Sequence, residues 1–354
     1  MLLLSIFSNN VVRIILFGTI FLGIVSGILG VFTLLKKQAL IGDALSHSTL
    51  PGVVLMFIFT NTRNLGILLT GAFISAAFAM FLMKVIKKYS KIENDAILAL
   101  ILSSFFGLGN FLISLISRDS SYVKINFNTF IFGSAATMSK ENVYTIMIIL
   151  LIVLFIILLT WRNLKLHIFN SEFYESLGYS NLIMEFLISF MTILVIIVGI
   201  ESVGVILMSS LLITPGLSAR QWSNKLFINV LLAGLFGFIQ SFLGTYISVT
   251  NDNMPTGPMI VIFGSNILLL SILLSPKRGL ISHEIKRIMY KNKIKKYEDI
   301  IKLYNNENNK KELNLTKDKL VFYLNQGLID YDKEEIILTN LGKEKVLEIL
   351  GGII

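Results

Sequence analysis

Stretches of about twenty apolar residues recur along this chain, and most end in a short cluster of lysine or arginine. A bilayer core needs roughly 20 apolar residues per helix, so each stretch is long enough to cross one. Strand-like alternation of the outer-membrane barrel type is absent, so the spans are expected to be helical. Composition agrees: of 354 residues, 54% are hydrophobic and only 15% charged, where an average soluble domain carries about 25% charge. The first apolar run has no small-residue cleavage site after it, so residues 11–35 read as a retained span rather than a leader. There are no cysteines, which excludes a disulfide framework, thiolate metal ligands and cysteine catalysis.

The expected spans are 11–35, 39–60, 65–86, 94–117 and 142–160, then 226–249 and 258–275. Between them, 182–217 is too long for one crossing and is interrupted by Glu201, Gly204, Pro215 and Gly216. Splitting it gives nine spans; treating it as one broken helix gives eight. An apolar island at 127–136, "FNTFIFGSAA", is too short to cross and reads as interfacial or re-entrant. The formal charge of +9 could suggest nucleic acid, but the basic residues sit at the ends of apolar runs, which is how topology is set in membranes. With the N-terminus outside, the clusters at 36–37, 84–91, 162–165, 220–225 and 277–278 all fall on the cytoplasmic side. Nine spans then place the C-terminus in the cytoplasm.

From about Lys277 the chain becomes charged and lysine-rich. Helical periodicity runs through 282–306, followed by a helix, a turn at Gly327, two short strands around Tyr331–Glu335 and a capped final helix. The expected organisation is an all-α polytopic membrane domain, 1–276, and a small cytoplasmic winged-helix-like domain, 277–354.

Asp43 and His47, in "QALIGDALSHSTLPGV" (38–53), stand four residues apart and share one face of a helix. A carboxylate and an imidazole at that spacing form half a site for Mn²⁺, Zn²⁺ or Fe²⁺. The spacing equally fits Asp43 capping a helix that starts near Gly42, with His47 donating a buried hydrogen bond to a neighbouring helix. Burying an ionised side chain at mid-membrane costs ~2.5 kcal/mol or more, which favours a functional reason for keeping it. Glu201 is either a further ligand on the pathway or a solvated helix end. Met208 and Met254 read as packing, Pro215-Gly216 as a helix break, and Gly18, Gly23, Gly27 and Gly30 as a close-packing stripe. No GxxxxGK[ST] phosphate loop, HExxH or GxSxG occurs, so neither ATP hydrolysis by that route nor hydrolytic chemistry is expected of this chain.

Five segments in order resemble the membrane permeases of bacterial ABC-type importers for Mn²⁺, Zn²⁺ and Fe²⁺: 38–53, "FGSAATMSKENV" (132–143), "SEFYESLGYS" (171–180), "VGVILMSSLLITPGLSARQW" (203–222) and "PTGPMIVIFGS" (255–265). The resemblance implies a homodimer of permeases in the lipid of the bacterial plasma membrane, two cytoplasmic ATP-binding subunits and an extracytoplasmic metal-binding protein. It implies no intrinsic cofactor, only the transported ion. Asp43 and His47 match the family's acidic and histidine positions and so become transit ligands. Glu172, Glu175 and Gly178 fall in what resembles the coupling helix that docks on the ATPase. The tail resembles winged-helix modules of metal-dependent repressors. A dimerisation or regulatory role is expected of it, and no nucleic acid. Manganese is favoured, then iron and zinc. The competing readings are a permease for a siderophore or cobalamin and a membrane-tethered regulator.

Overall fold

A computed structural model describes residues 10–38, 40–61, 65–118, 138–251, 254–305, 317–332 and 335–351. The chain divides into two compact units, 1–279 and 280–354. The first is built of α1 (Asn10–Leu35), α2 (Ile41–Thr60), α3 (Leu65–Tyr89), α4 (Asn94–Arg118), α5 (Lys140–Phe169), α6 (Ser171–Ser176), α7 (Asn181–Val203), α8 (Val205–Trp222), α9 (Leu226–Thr250) and α10 (Thr256–Leu274).

Among the described residues eight helices are long and apolar enough to cross a membrane: all of these except α6 and α8. The 182–217 stretch does divide into two helices, at Gly204, whose φ of 86° is open to glycine and costly for other residues. Helix α8 nevertheless carries Ser209, Ser210, Thr214, Arg220 and Gln221 and falls short of spanning composition. It tolerates them because it packs against α1, α2, α7, α9 and α10 rather than lipid. Exposed apolar side chains instead cover the outer helices, such as Phe155, Leu158 and Leu159 on α5.

Two other expectations need correction. Helix α5 does not stop near residue 160, where its expected span ended, but runs to Phe169. Pro215 lies inside α8 and does not end it; its ring lies where a side chain on Gly27 of α1 would stand. Pro51 lies inside α2, as the expected 39–60 span requires. Lacking an N–H, Pro51 leaves the His47 carbonyl without its helical donor, and nearby the Ser75 hydroxyl of α3 donates to the Ser48 carbonyl at 2.6 Å. The 127–136 island lies outside the described residues.

Helix α1 is the axis of the unit, with Leu22, Leu29 and Phe32 fully buried. Its glycine stripe has the expected purpose: a Cβ on Gly23 or Gly27 would stand 2.5 Å from the carbonyl oxygens of Gly237 and Ala233 on α9. Backbones in that contact gain dispersion energy that bulkier residues would forfeit. Helices α2 and α3 touch in the same way at Gly52 and Gly71.

The second unit contains α11 (Leu280–Lys296), α12 (Glu298–Asn305), α13 (Lys317–Asn325), β1 (Ile329–Asp332), β2 (Glu335–Leu338) and α14 (Asn340–Gly351). The strands pair antiparallel, with Ile329 opposite Leu338. Gly327 makes the turn before them at φ 65°, and Thr339 caps α14 by accepting from the Gly342 N–H at 3.0 Å. Tyr323, Ile300 and Val346 form its small core. Burial, then the neighbouring Asp299 carboxylate, push the Tyr323 phenol up to about 12.

Candidate functional site: a carboxylate–imidazole pair inside the helix bundle

After α1 the chain turns through Lys37, at φ 57°, and α2 starts at Ile41. Leu40 is its N-cap residue and makes no side-chain cap. Asp43 is therefore not the cap. It stands in the first turn, where the positive end of the helix dipole favours an anion. Its Oδ1 accepts from the Ser209 hydroxyl of α8 at 3.0 Å and lies 3.4 Å from Nε2 of His47. The His47 ring meets Phe106 of α4 edge-on, centroids 4.8 Å apart. Neither side chain is sealed: 34% of Asp43 and 18% of His47 remain accessible. Capping and a buried inter-helix hydrogen bond by His47, the bland alternatives, are thus not what the side chains do.

The pair also lies deeper than its place near the start of α2 suggests. Gly52 opposes Gly71, so antiparallel counting sets Asp43 beside Met80, nine residues or about 13 Å inside the end of α3. Its partner Ser209 is thirteen residues, about 20 Å, from the end of α8. Gly42 brings α2 against Leu212 of α8, which is how Ser209 reaches the carboxylate. Ser209 was missed by sequence reasoning. A serine in an apolar helix ordinarily bonds its own backbone, as Ser209 also does to Val205 at 3.1 Å, and no spacing rule links it to a residue 166 positions away.

Among the described residues no group of three or more His, Cys, Asp or Glu side chains could hold a metal ion. One copy of the chain therefore offers a cation a carboxylate, an imidazole and a hydroxyl. Glu201 lies in the last turn of α7, away from α2 in sequence, and its side chain is outside the described residues. Met208 is fully buried as packing; a Cβ on Gly199 would meet its sulfur.

The second candidate region is α6 with its flanks. Asn170 caps it, accepting from the Phe173 N–H at 2.9 Å. Gly178, at φ 84°, reverses the chain after it and donates to the Glu175 carbonyl at 2.9 Å. Tyr174 is the anchor: 3% exposed, it stacks on Tyr179 with centroids 5.1 Å apart and meets His167 edge-on. Asn181 ties the segment to α7 by donating to the Ser171 carbonyl and to Glu175 Oε2, both at 3.0 Å. Glu175 is thus engaged within the chain, whereas Glu172 is exposed. Phe173, Leu177 and Tyr179 are each nearly half exposed, so this short helix carries a small apolar surface on a rigid base.

The model of the ABC 3 transport family matches residues 8–275. The zinc transport system membrane protein TroC of Treponema pallidum is 37% identical over 279 residues, 79% of this chain and 94% of that protein. The manganese transport system membrane protein MntC of Bacillus subtilis is 33% identical over 290 residues, 82% of this chain and 67% of that protein. Among solved structures, PsaBC from Streptococcus pneumoniae in complex with Fab aligns with a TM-score of 0.67 at 28% identity, covering 78% of this chain and 96% of that one.

Proposed function

The chain belongs to the ABC 3 transport family, and from that premise we propose that it is the membrane permease subunit of an ATP-driven importer for a divalent transition metal ion. The observation that carries the reading is the Asp43–His47 pair, open to a cation deep inside a bundle of apolar helices. Relatives named for zinc and manganese transport support the substrate class; manganese is favoured, then iron and zinc. ATP hydrolysis belongs to a separate subunit, and an extracytoplasmic binding protein delivers the ion.

Two copies of the permease face each other, so that two carboxylates and two imidazoles surround the path. A mixed N/O set of that kind discriminates against Ca²⁺ and Mg²⁺, which prefer all-oxygen cages. Two ligands per copy hold an ion loosely enough to release it. The bundle lies in a bacterial plasma membrane with the N-terminus outside and the C-terminus in the cytoplasm. Helix α6, with Glu172 and Phe173 outward and Gly178 ending it, docks on the ATP-binding subunit. Residues 277–354 form a winged-helix-like module with a regulatory or dimerisation role. The deciding experiment is the metal content of cells lacking the gene under limitation for one metal at a time. A deficit of one transition metal supports the reading, and unchanged content of all three refutes it.

A further inference from the structure

A cavity of about 50 Å³ opens between the turn that follows α1, the start of α2, and helices α3, α4 and α7, beside the basic residues of 36–37 and 84–91. At roughly 10–15 Å³ per water it has room for about three to five waters, enough to admit a small polar headgroup. Its rim holds Lys36, Lys84 and Lys87 against a single carboxylate, Glu185, an excess of two positive charges. Lys36 is the deepest of them, with 15% of its side chain accessible, and its ammonium is 3.9 Å from Glu185. Among the described residues Lys84 and Lys87 have no acidic partner of their own. Burial first, then the repulsion of Lys87 and Lys84, bring Lys36 down to about 8 despite the attraction of Glu185. An under-neutralised cluster in a partly dry cleft is costly unless an anion enters it.

The inner wall has a different character. One turn in from Lys84 lies Met80, with Met83, Ile97 and Ile188, all buried and apolar; Ser189 and Thr192 also line this wall, but their hydroxyls donate to the Glu185 and Ile188 carbonyls of their own helix. A basic rim over an apolar floor matches an anionic amphiphile better than it matches a protein carboxylate. Its charge also repels the transported cation. Basic clefts between membrane helices bind acidic headgroups on these principles.

We propose that this cavity binds an anionic phospholipid, its phosphate held by Lys36, Lys84 and Lys87 and its first methylenes against Met80, Met83 and Ile188. The test uses the full-length protein purified in detergent, with native mass spectrometry and thermal unfolding as readouts. The probes are phosphatidylglycerol, phosphatidylcholine and inorganic phosphate. Wild type is expected to retain phosphatidylglycerol at least tenfold over phosphatidylcholine and to be stabilised by it. K36Q/K84Q/K87Q should lose both effects, and K36R/K84R/K87R, which keeps the charge, should retain them. Equal phosphatidylglycerol retention by wild type and the glutamine variant would overturn the proposal. So would equal stabilisation by inorganic phosphate, which would make this a free-anion site. A glutamine variant that keeps the lipid but no longer co-purifies with the ATP-binding subunit would make the cleft a protein dock instead. If the glutamine variant fails to fold, the three probes on wild type and the arginine variant still decide.

Discussion

Replacing Ser209 by alanine removes the hydroxyl that reaches Asp43 from another helix. The bond is 3.0 Å long and its acceptor is a carboxylate, so such a bond is worth about 1.5–3 kcal/mol. The same hydroxyl lies 3.1 Å from the Val205 carbonyl, and one proton shared between two acceptors puts the contribution near the lower bound. About 1.5 kcal/mol corresponds to roughly a tenfold change in affinity, the low end of the 10–100-fold cost typical of groups that orient a metal ligand. Uptake by cells is a poor assay, because half-saturation there reflects the delivering protein. Direct binding is better: loss of the six-line spectrum of aqueous Mn²⁺ on adding purified permease, compared between wild type and S209A. The expected result is about tenfold weaker binding, with stability lowered by no more than the ~1.5 kcal/mol of the lost bond. Equal Mn²⁺ affinity in the two proteins would refute the claim that Ser209 aims the carboxylate.

A Cβ on Gly52 lands on the Gly71 carbonyl, so G52A should lower stability by about 1–3 kcal/mol and loosen α2, while G107A, with open space around it, should not; thermal unfolding in detergent separates them. Lys36 falls from 10.5 in the unfolded chain to about 8 in the fold. Between those values the unfolded state binds more protons, so stability should rise by about 3 kcal/mol as pH climbs from 8 to 10.5. K36M should lack that rise and be the more stable protein at pH 7, and parallel wild-type and K36M curves would contradict the assignment. On α6, F173A should abolish co-purification of the ATP-binding subunit. E175Q, which only weakens the 3.0 Å bond from Asn181, should leave it bound.

Most helix lengths, α5 excepted, and the glycine stripe of α1 were legible in the sequence because both answer to simple constraints, the thickness of a bilayer and the radius of a side chain. Gly178 and Gly204 were legible as punctuation for a related reason: both adopt positive φ. Helix α8 was harder to read. A span is recognised by its apolar surface toward lipid, and a helix enclosed by five others is released from that requirement. Pro215 misled in the same direction, since α8 packs among other helices and the proline ring finds room against Gly27 of α1. Asp43 and His47 could be named from spacing and resemblance. Their depth could not, because α2 begins well inside the bundle rather than at its end. Ser209 and the Lys36 cavity depend on contacts between distant segments, which no local pattern encodes.

The central claim is that the transported ion crosses the membrane past Asp43 and His47. Its most direct test is metal uptake into vesicles containing the complete transporter, with wild-type permease, Asp43→Ala or His47→Ala, after checking that each complex assembles with its ATP-binding subunits. Transport of Mn²⁺, Zn²⁺ or Fe²⁺ should fall to background in both variants while the complex remains whole. Wild-type transport in both would put the path elsewhere in the bundle.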